Sequence, residues 1–250
     1  MTRRTICWFS GGAASAVATK IALREWPEAD VVYCDTNAEH DDNKRFMADC
    51  VRWFNRPIIT IKSEDYEDTW DVWERRKAMS FPKGAPCTME LKLKPRLAYQ
   101  RPTDIQIFGY TADAGDVRRA KNFREQFFEV DMRAPLIDAG LTKPACRALL
   151  EDAGVREPIT YALGLPNANC IPCPKATSPN YWALIRKEWP DKFQRAAELS
   201  RSLGVRLARI KNVRIFIDEI PDDWPVTDAV APACDFLCAM ASEDMAEEAA

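Results

Sequence analysis

The segment Ser10–Ser15 follows a short apolar stretch, precedes a helical pattern and has residue types that could bind phosphate. Gly11 and Gly12 permit a tight turn whose backbone N–H groups can converge on an anion. The following helix would direct the positive end of its dipole toward the same anion. The pattern is neither the G-x-x-x-x-G-K-[ST] loop nor the dinucleotide-binding G-x-G-x-x-G. A glycine pair can also serve only tight packing, so both interpretations stay open for this segment alone.

The spacing of the cysteines identifies a second group of residues that could bind a metal or a cluster. Cys170 and Cys173 have the C-x-x-C spacing that lets two thiolates bind one metal ion or one face of an iron–sulfur cluster. Cys87 begins a short basic helix, and a helix N-terminus favours the thiolate. Cys234 and Cys238 follow near the end of the chain. These thiols can supply an all-cysteine site for zinc or for [4Fe-4S], and residue types do not separate the two.

The single histidine and the positions of the remaining cysteines limit which residues can be ligands of such a site. A C-x-x-C pair also serves as a redox dithiol, but such pairs usually begin a helix, whereas this one lies in a segment rich in proline, glycine and asparagine. His40 is the only histidine, which excludes a two-cysteine, two-histidine zinc site. Cys7 and Cys34 lie in predicted strands and Cys50 lies on the apolar face of a predicted helix, so we predict core thiols there. Cys146 is left unassigned.

Composition and charge limit the class of protein. A chain of 250 residues, 47% of them hydrophobic, can bury a full core and fits one α/β domain with elaborations. The net charge of -3 argues against a protein that coats nucleic acid through bulk charge, but leaves a local basic face open. No apolar run approaches the roughly 20 residues that span a bilayer, and no signal-peptide pattern precedes the first strand, so we expect a cytoplasmic protein. Nine cysteines then favour metal, cluster or thiol chemistry over a disulfide framework.

Alternating strand and helix patterns predict the elements that position these residues. The strand patterns cover residues 5–9, 30–34, 57–61, 105–108 and 134–137. This alternation predicts right-handed βαβ units in an α/β fold with a doubly wound, mostly parallel five-stranded sheet, followed by a helical C-terminal extension that bears cysteines. We predict a nucleotide-binding core at 1–140, the extension at 141–240 and a disordered acidic tail at 241–250.

Polar residues follow the predicted strands at the edge where parallel sheets bind ligands. Asp35 and Thr36 come directly after the second strand and could face a nucleotide; a role for Asp35 as a cap of the next helix is the alternative. Gly109 follows the fourth strand. Arg118 and Arg119 lie on the helix after it, where a polyphosphate would need cations.

Several separate segments together resemble one family. The matching segments are Ser10–Ser15, Asp35–Thr36, Glu39–His40, Cys87–Lys92, Gly109–Ala112, Leu141–Cys146 and Asn169–Ala176. The chain is similar to the phosphoadenosine phosphosulfate (PAPS) reductase-like branch of the PP-loop, or N-type, ATP pyrophosphatases, particularly to short members common in bacteriophage genomes. The match extends from residue 6 to about residue 190 and is weaker at 234–238.

The resemblance implies a sheet that binds an adenine nucleotide, either ATP or PAPS, with Mg²⁺. It implies phosphate contacts from Ser10, Gly11, Gly12, Ala13 and Ser15, a nucleotide site lined by Asp35, Thr36 and Gly109, and Asp35, Arg118 and Arg119 as catalytic candidates. Relatives with C-x-x-C pairs commonly carry [4Fe-4S], which favours iron–sulfur over zinc at Cys87, Cys170 and Cys173, with Cys238 or Cys234 as the fourth ligand.

Two departures from the family pattern bear on the reaction. Sulfonucleotide reductases end in a Glu-Cys-Gly-Leu-His-type segment, whereas this chain has Ala233–Cys238 without histidine, which weighs against sulfonucleotide reduction. The loop at 10–15 also lacks the aspartate of the Ser-Gly-Gly-Lys-Asp-Ser form, so the magnesium ligands stay unassigned.

The leading hypothesis is an enzyme that adenylates a carbonyl-type oxygen with ATP and lets sulfur replace AMP, with tRNA or DNA as acceptor. The alternatives are a thioredoxin-linked PAPS reductase with Cys234 or Cys238 as nucleophile, and a non-catalytic nucleotide-binding or host-interaction protein with structural zinc. The expected partners are an adenine nucleotide, a cysteine desulfurase or thioredoxin, and a second copy in a homodimer, with no membrane. A phage-encoded chain would act in the host cytoplasm.

Overall fold

The computed structural model describes residues 3–81 and 84–226, so the predictions for Cys234, Cys238 and the tail at 241–250 lie outside the described residues. The strands are β1 (Thr5–Trp8), β2 (Asp30–Cys34), β3 (Ile58–Ile61), β4 (Ile105–Ile107), β5 (Asp131–Arg133), β6 (Ala208–Ile210) and β7 (Val213–Ile215). The α-helices are α1 (Ala13–Glu25), α2 (Asp42–Phe54), α3 (Thr69–Arg76), α4 (Pro86–Thr88), α5 (Lys94–Tyr99), α6 (Ala114–Gln126), α7 (Pro135–Asp138), α8 (Lys143–Asp152), α9 (Ile159–Ala162), α10 (Pro179–Glu188) and α11 (Pro190–Ser202). A π-helical turn, Met89–Leu93, joins α4 to α5, and a 3-10 turn, Ile217–Glu219, follows β7. None of the helices in the described ranges is both long and apolar enough to cross a bilayer.

The strands β1 to β5 form one parallel sheet in the order β3-β2-β1-β4-β5. β1 is central, since Ile6 lies beside Asp30 of β2 on one side and beside Gln106 of β4 on the other. The direction of winding reverses between β1 and β4, and open α/β sheets bind ligands outside the carboxyl ends of the strands at such a point. The doubly wound five-stranded sheet predicted from the sequence is confirmed.

The fifth strand lies at Asp131–Arg133, and the prediction of a strand at 134–137 is wrong. Met132, the buried residue of β5, lies beside Gln106 of β4. Pro135 has no N–H for a strand ladder, and its fixed φ suits the first turn of a helix, so Pro135–Asp138 forms α7 instead. A three-residue strand with one apolar side chain leaves no alternating pattern long enough to detect.

The limits of α8, which packs against α1, follow from local sequence signals. The Thr142 side chain accepts the N–H of Ala145 as the N-cap, and Pro144 occupies the first turn. Gly154 then adopts a φ of +67°, the left-handed conformation that commonly ends a helix. The predicted cap and stop of this helix are therefore confirmed.

The described chain divides into two compact units that are interleaved along the sequence. Unit 1 contains the described residues up to Asp35, together with Asp41–Lys62 and Pro95–Ile159, and holds the five-stranded sheet. Unit 2 contains Thr36–His40 and the described residues of Ser63–Lys94 and from Thr160 onward. The domain limits at residues 140 and 240 stay a prediction.

Each unit has its own buried core. In unit 1, the Phe9 ring contacts the rings of Phe46 and Phe54. Cys7 and Cys50 are buried there as well, and burial raises the pKa of both thiols to about 12. Thiols with such a high pKa stay protonated at neutral pH, which confirms the core role predicted for both residues.

In unit 2, the buried cluster is built on large side chains that include Trp73, Tyr181 and Trp182. Trp73 packs edge-on against Trp70. Cys87 and Cys173 belong to the same buried cluster.

Candidate functional site

The turn between β1 and α1 arranges the predicted phosphate-binding residues around the N-terminus of a helix. Gly11 has a φ of +72°, a left-handed conformation that glycine adopts without steric cost. Gly12 is the N-cap of α1 and has no side chain with which to accept the first-turn N–H groups. The first turn of α1 also contains no acidic residue. An anion at this turn would therefore meet backbone donors and the positive end of the helix dipole.

Ser15 holds this turn in shape through its hydroxyl group. Ser15 Oγ accepts the backbone N–H of Ser10 and the Ser10 hydroxyl, each at 3.1 Å, and donates to the Gly12 carbonyl at 2.9 Å. Ser15 is buried, whereas Ser10 is exposed. The two serines thus have different roles: Ser15 fixes the backbone, and Ser10 presents a hydroxyl at the surface of the turn.

Gly109 brings the loop after β4 directly against the first turn of α1. A Cβ atom at residue 109 would lie 2.7 Å from Ser15 Cα and 2.9 Å from Ser15 N, closer than real Cβ contacts. The neighbouring atoms are backbone and cannot move aside as a flexible side chain would. Glycine is therefore required for the two loops at the switch point to lie side by side.

A buried threonine organises the loop after β4. Thr111 donates its backbone N–H to Asp116 Oδ2 at 3.0 Å, and its hydroxyl lies 2.7 Å from the same oxygen and 2.8 Å from Asp113 Oδ2. Asp116 in turn binds the guanidinium of Arg119. Arg119 is therefore fixed near the carboxyl end of β4, whereas Arg118, the other predicted arginine, is exposed on α6.

Lys143, the first residue of α8, joins this network and was missed as a site residue in the sequence. Its backbone N–H donates to Asp113 Oδ2 at 2.9 Å, and this bond, together with the Thr111 hydroxyl, lowers the pKa of Asp113. The pKa of Lys143 is itself lowered, first by partial burial of its ammonium group and then by the positive charge of Arg119. The charge of Asp113 acts in the opposite direction and favours the protonated Lys143, and a bound anion would favour it further.

A signal for Lys143 was present in the sequence. The residue directly follows the capping Thr142, so it lies in the first turn of α8, where a cation opposes the helix dipole. A lysine at a position that disfavours cations indicates a role other than helix stability.

Asp35 lies at the end of β2, as predicted, and pairs with a neighbouring lysine. Its carboxylate is 2.9 Å from Lys62 Nζ, and its backbone N–H donates to the Ile61 carbonyl at 2.9 Å. The N-cap of α2 is Asp41, so the alternative in which Asp35 caps that helix is wrong. Asp35 is thus a strand-end carboxylate whose charge is balanced by Lys62.

In unit 2, the C-x-x-C loop is tied to the segment that begins with Thr36. The Thr36 hydroxyl lies 3.1 Å from Cys170 Sγ, and the Ile171 N–H donates to the Ala38 carbonyl at 2.8 Å. Within the same segment, Glu39 has a buried carboxylate 3.6 Å from Lys92 Nζ. These contacts give Thr36 a position beside a thiol, in addition to the nucleotide role that its place after β2 predicts.

Tyr181 contacts the second half of the C-x-x-C loop. Its hydroxyl accepts the Cys173 N–H at 2.6 Å, and burial, followed by the charges of Cys173 and Cys170, raises its pKa well above the ordinary tyrosine value. The hydroxyl therefore keeps its proton in the same pocket as the two cysteines. Together with Leu165, Asn167 and Asn169, these residues line a small concave pocket. Cys173 is buried and Cys170 is partly exposed, so Cys170 is the more accessible thiol.

The described residues do not complete a metal site. Within residues 3–81 and 84–226, no three side chains of Cys, His, Asp or Glu are arranged to hold a metal ion, and Cys87, Cys170 and Cys173 form no such group. The two other predicted ligands, Cys234 and Cys238, lie outside these ranges. The cluster and its zinc alternative stay predictions, and no chemical step is assigned to either.

Comparisons with known proteins give distant similarities. No protein-family model matches the chain. An uncharacterized protein of Methanocaldococcus jannaschii is 21% identical over 212 residues, and the alignment covers 78% of this chain and 47% of that protein. The chain thus spans about half the length of the curated relative that it matches. Among solved structures, phosphoadenylyl-sulfate (PAPS) reductase from Candida auris, determined as a phosphate complex, is similar with a TM-score of 0.47 and 12% identity, over 68% of this chain and 82% of that one.

Proposed function

We propose that the protein is an enzyme that binds the phosphates of an adenine nucleotide at the β1–α1 turn and uses ATP to adenylate an acceptor. The observation that carries the proposal is the turn itself: a left-handed Gly11 and an N-cap Gly12 open α1 at the switch point of the sheet. The close approach of Gly109 to Ser15 places a second loop against that turn. This is the arrangement in which backbone N–H groups and a helix dipole bind phosphate.

In the proposed reaction, a cation of α6 and a cation of α8 stabilise the leaving group. A carbonyl-type oxygen of the acceptor attacks the α-phosphorus of ATP, the bond to the β-phosphate breaks, and pyrophosphate leaves. Arg119 and Lys143 would stabilise the negative charge that grows on pyrophosphate. Binding of that charge also removes the mutual repulsion of the two cations, so the interaction is strongest when the leaving group is fully charged.

The second half of the proposal concerns sulfur and the cysteines of unit 2. A persulfide on Cys170, supplied by a cysteine desulfurase, would attack the activated carbon and displace AMP. The Cys173 thiol would then attack the mixed disulfide, which releases the thiolated acceptor and leaves a Cys170–Cys173 disulfide. A thioredoxin-type dithiol returns the pair to thiols, so atoms and electrons balance. Tyr181, which stays protonated, would donate a hydrogen bond to the departing thiolate.

The substrate of adenylation is proposed to be a nucleic-acid base, and PAPS reduction is the competing reaction. The discriminating experiment measures pyrophosphate release from ATP and sulfite release from PAPS by the same anaerobically purified protein, with tRNA and DNA as acceptors. Pyrophosphate release that requires nucleic acid supports the proposal. Sulfite release without pyrophosphate release would replace it with the reductase.

The control for this experiment separates phosphate binding from acceptor chemistry. Calorimetric titration with ATP, PAPS and adenosine reports on the β1–α1 turn alone, because adenosine has no phosphate. Tight binding of ATP and weak binding of adenosine are expected. Equal affinities for ATP and adenosine would overturn the phosphate-binding role of the turn.

A further inference from the structure

The β6–β7 ribbon concentrates positive charge in a chain whose net charge is negative. Residues 203–217 contain four cations, Arg206, Arg209, Lys211 and Arg214, and no acidic residue, whereas the whole chain carries -3. All four are exposed. The next carboxylates along the chain, Asp218 and Glu219, bind Arg201 instead. We name residues 206–215 the cationic hairpin.

The strand register of the cationic hairpin places like charges opposite each other. Arg209 of β6 and Arg214 of β7 are direct partners in an antiparallel pair, so their side chains leave the same face of the ribbon. Like charges directly opposite in a ribbon are destabilising. The pKa of Arg214 is lowered, first by partial burial and then by the charge of Arg209. The ribbon thus holds two like charges opposite each other, and Arg214 also donates a hydrogen bond to the Leu207 carbonyl at 3.0 Å.

The turn of the cationic hairpin adds a third cation at its tip. Lys211 and Asn212 connect the strands and have φ values of +47° and +66°, the two-residue turn that fits the twist of a hairpin. Asparagine and glycine are the residues that suit such positions, and lysine is uncommon there. The side chain of Lys211 is exposed to solvent.

From this charge and register we infer that the cationic hairpin binds the sugar–phosphate backbone of nucleic acid. The inference deepens the proposed function and rests on it for the choice of partner, because the proposed acceptor is a nucleic-acid base. A polyanion neutralises Arg209 and Arg214 together and removes their repulsion. A two-stranded antiparallel ribbon is also an element that the major groove of duplex DNA admits.

The test measures binding of fluorescently labelled duplex DNA, duplex RNA and single strands of one sequence to the full chain as salt is raised from about 50 to about 200 mM. The Arg209→Gln/Arg214→Gln variant should reduce the slope of log K against log salt by about 2 and weaken binding roughly tenfold or more. Its melting temperature should change little, because relief of the repulsion offsets the loss of the Arg214 hydrogen bond to the Leu207 carbonyl. The three nucleic-acid forms distinguish groove recognition from backbone contact alone.

A charge-matched control uses cations of unit 2 that already have partners. Lys187→Gln/Arg195→Gln removes two charges that pair with Glu188 and Glu74, and its salt slope should equal that of the wild type. If the hairpin double variant does not fold, Lys211→Gln at the exposed turn should lower the slope by about 1. Equal slopes for the hairpin variants and the control, or no binding by the wild type, would overturn the inference.

The outcome is separable from that of the proposed function. Nucleic-acid binding that depends on the cationic hairpin, without any pyrophosphate release, would uphold the inference and refute the adenylation. Pyrophosphate release that requires nucleic acid, with binding that does not depend on the cationic hairpin, would uphold the adenylation and refute the inference.

Discussion

The backbone of Gly109 lies so close to Ser15 that a single added Cβ atom would be 2.7 Å from Ser15 Cα. This contact joins the loop after β4 to the first turn of α1, and the two strands that precede these elements are the pair between which the sheet reverses. The geometry of the proposed phosphate site therefore depends on the absence of a side chain at one residue. That dependence can be tested by the smallest possible substitution.

Gly109→Ala should both destabilise the protein and weaken ATP binding. The new methyl group must displace backbone atoms, and such overpacking costs about 1–3 kcal/mol of unfolding free energy. The first turn of α1 would shift away from the loop, so the ATP affinity should fall by about tenfold or more, in line with the sensitivity of such sites to displacements of about 1 Å. Chemical denaturation and calorimetric titration measure the two effects.

Gly115→Ala is the matched control, because an added Cβ there meets no atom within 4 Å. This residue is in the first turn of α6, where alanine reduces the entropy of the unfolded chain and should raise stability by about 0.4–1 kcal/mol. Its ATP affinity should not change. A Gly109→Ala protein that binds ATP as tightly as Gly115→Ala would refute the role of the loop contact.

Ser15→Ala tests the hydroxyl that holds the phosphate-binding turn. Loss of its hydrogen bonds to Ser10 and Gly12 should cost about 1 kcal/mol of stability and lower ATP affinity several-fold. Ser200→Ala removes a comparable buried hydroxyl, which donates to the Ala197 carbonyl at 2.8 Å in α11. Both variants should lose similar stability, but only Ser15→Ala should lose ATP affinity. Equal ATP affinities in the two variants would count against the role of the Ser15 hydroxyl in phosphate binding.

Lys143→Met should weaken binding of ATP roughly tenfold while leaving adenosine binding unchanged, because a charged hydrogen bond to phosphate is lost. Lys121→Met is the control, since the Lys121 side chain is exposed on α6 and pairs with Glu125. If both variants lose the same ATP affinity, the effect is one of net charge and the assignment of Lys143 fails.

The lowered pKa of Lys143 also predicts a pH dependence. The unfolded chain holds this proton more tightly than the folded chain, so the free energy of unfolding should rise with pH between the lowered pKa and the ordinary value of 10.5. ATP affinity should fall over the same range, as the ammonium loses its charge. Lys143→Arg should keep its affinity there, because arginine stays protonated. Parallel pH profiles for wild type and Lys143→Arg would contradict the prediction.

A prediction about stability concerns Asp42 in unit 1. The Arg45 side chain, and also the Ile159 N–H at 2.8 Å, lower the pKa of Asp42 from 3.8 to about 2. The carboxylate therefore contributes stability above pH 3.8, and this contribution is lost as pH falls toward 2. Asp42→Asn should lose about 1 kcal/mol at neutral pH, after allowance for solvent screening. The difference from wild type should shrink between about pH 4 and pH 2.

Asp41→Asn provides the neighbouring control. Asp41 pairs with Lys44, but both side chains are almost fully exposed, so this substitution should change stability little at any pH. Urea denaturation of the three proteins across the acid range measures both effects. A pH-independent difference between wild type and Asp42→Asn would show that the carboxylate's charge is not responsible.

The sequence predicted those parts of the fold that local periodicity and capping determine. α8 has a capping threonine, a first-turn proline and a terminal glycine, so its limits could be read directly. β5 could not be read in this way, because a three-residue strand is selected by its pairing with β4 and carries no periodic pattern of its own. Secondary structure that depends on a neighbouring strand is visible only in the folded chain.

In the candidate site, too, local features could be predicted from the sequence and tertiary contacts could not. Gly11 and Gly12 were found because glycines before a helix have a local meaning. Gly109 is required because its backbone contacts Ser15, a residue far from it in sequence. Lys143 and Arg119 are likewise distant in sequence, although the charge of one affects the pKa of the other. Residue spacing therefore could not reveal either relationship. Lys143 was visible only as a cation in an unfavourable place, at the start of a helix.

Metal analysis of anaerobically purified protein decides between the cluster and the alternatives. We expect no iron on Cys170 and Cys173, because the proposed sulfur transfer uses both as free thiols; about four irons and four sulfides per chain, the content of one [4Fe-4S] cluster, would refute that transfer. If iron is present, Cys170→Ala should lose it, and the predicted fourth ligand requires that only one of the variants Cys234→Ala and Cys238→Ala lose it as well. Cys34→Ala, in β2, should keep it. One zinc without iron would make the site structural, and no metal would leave Cys170 and Cys173 as the dithiol that the proposed sulfur transfer uses.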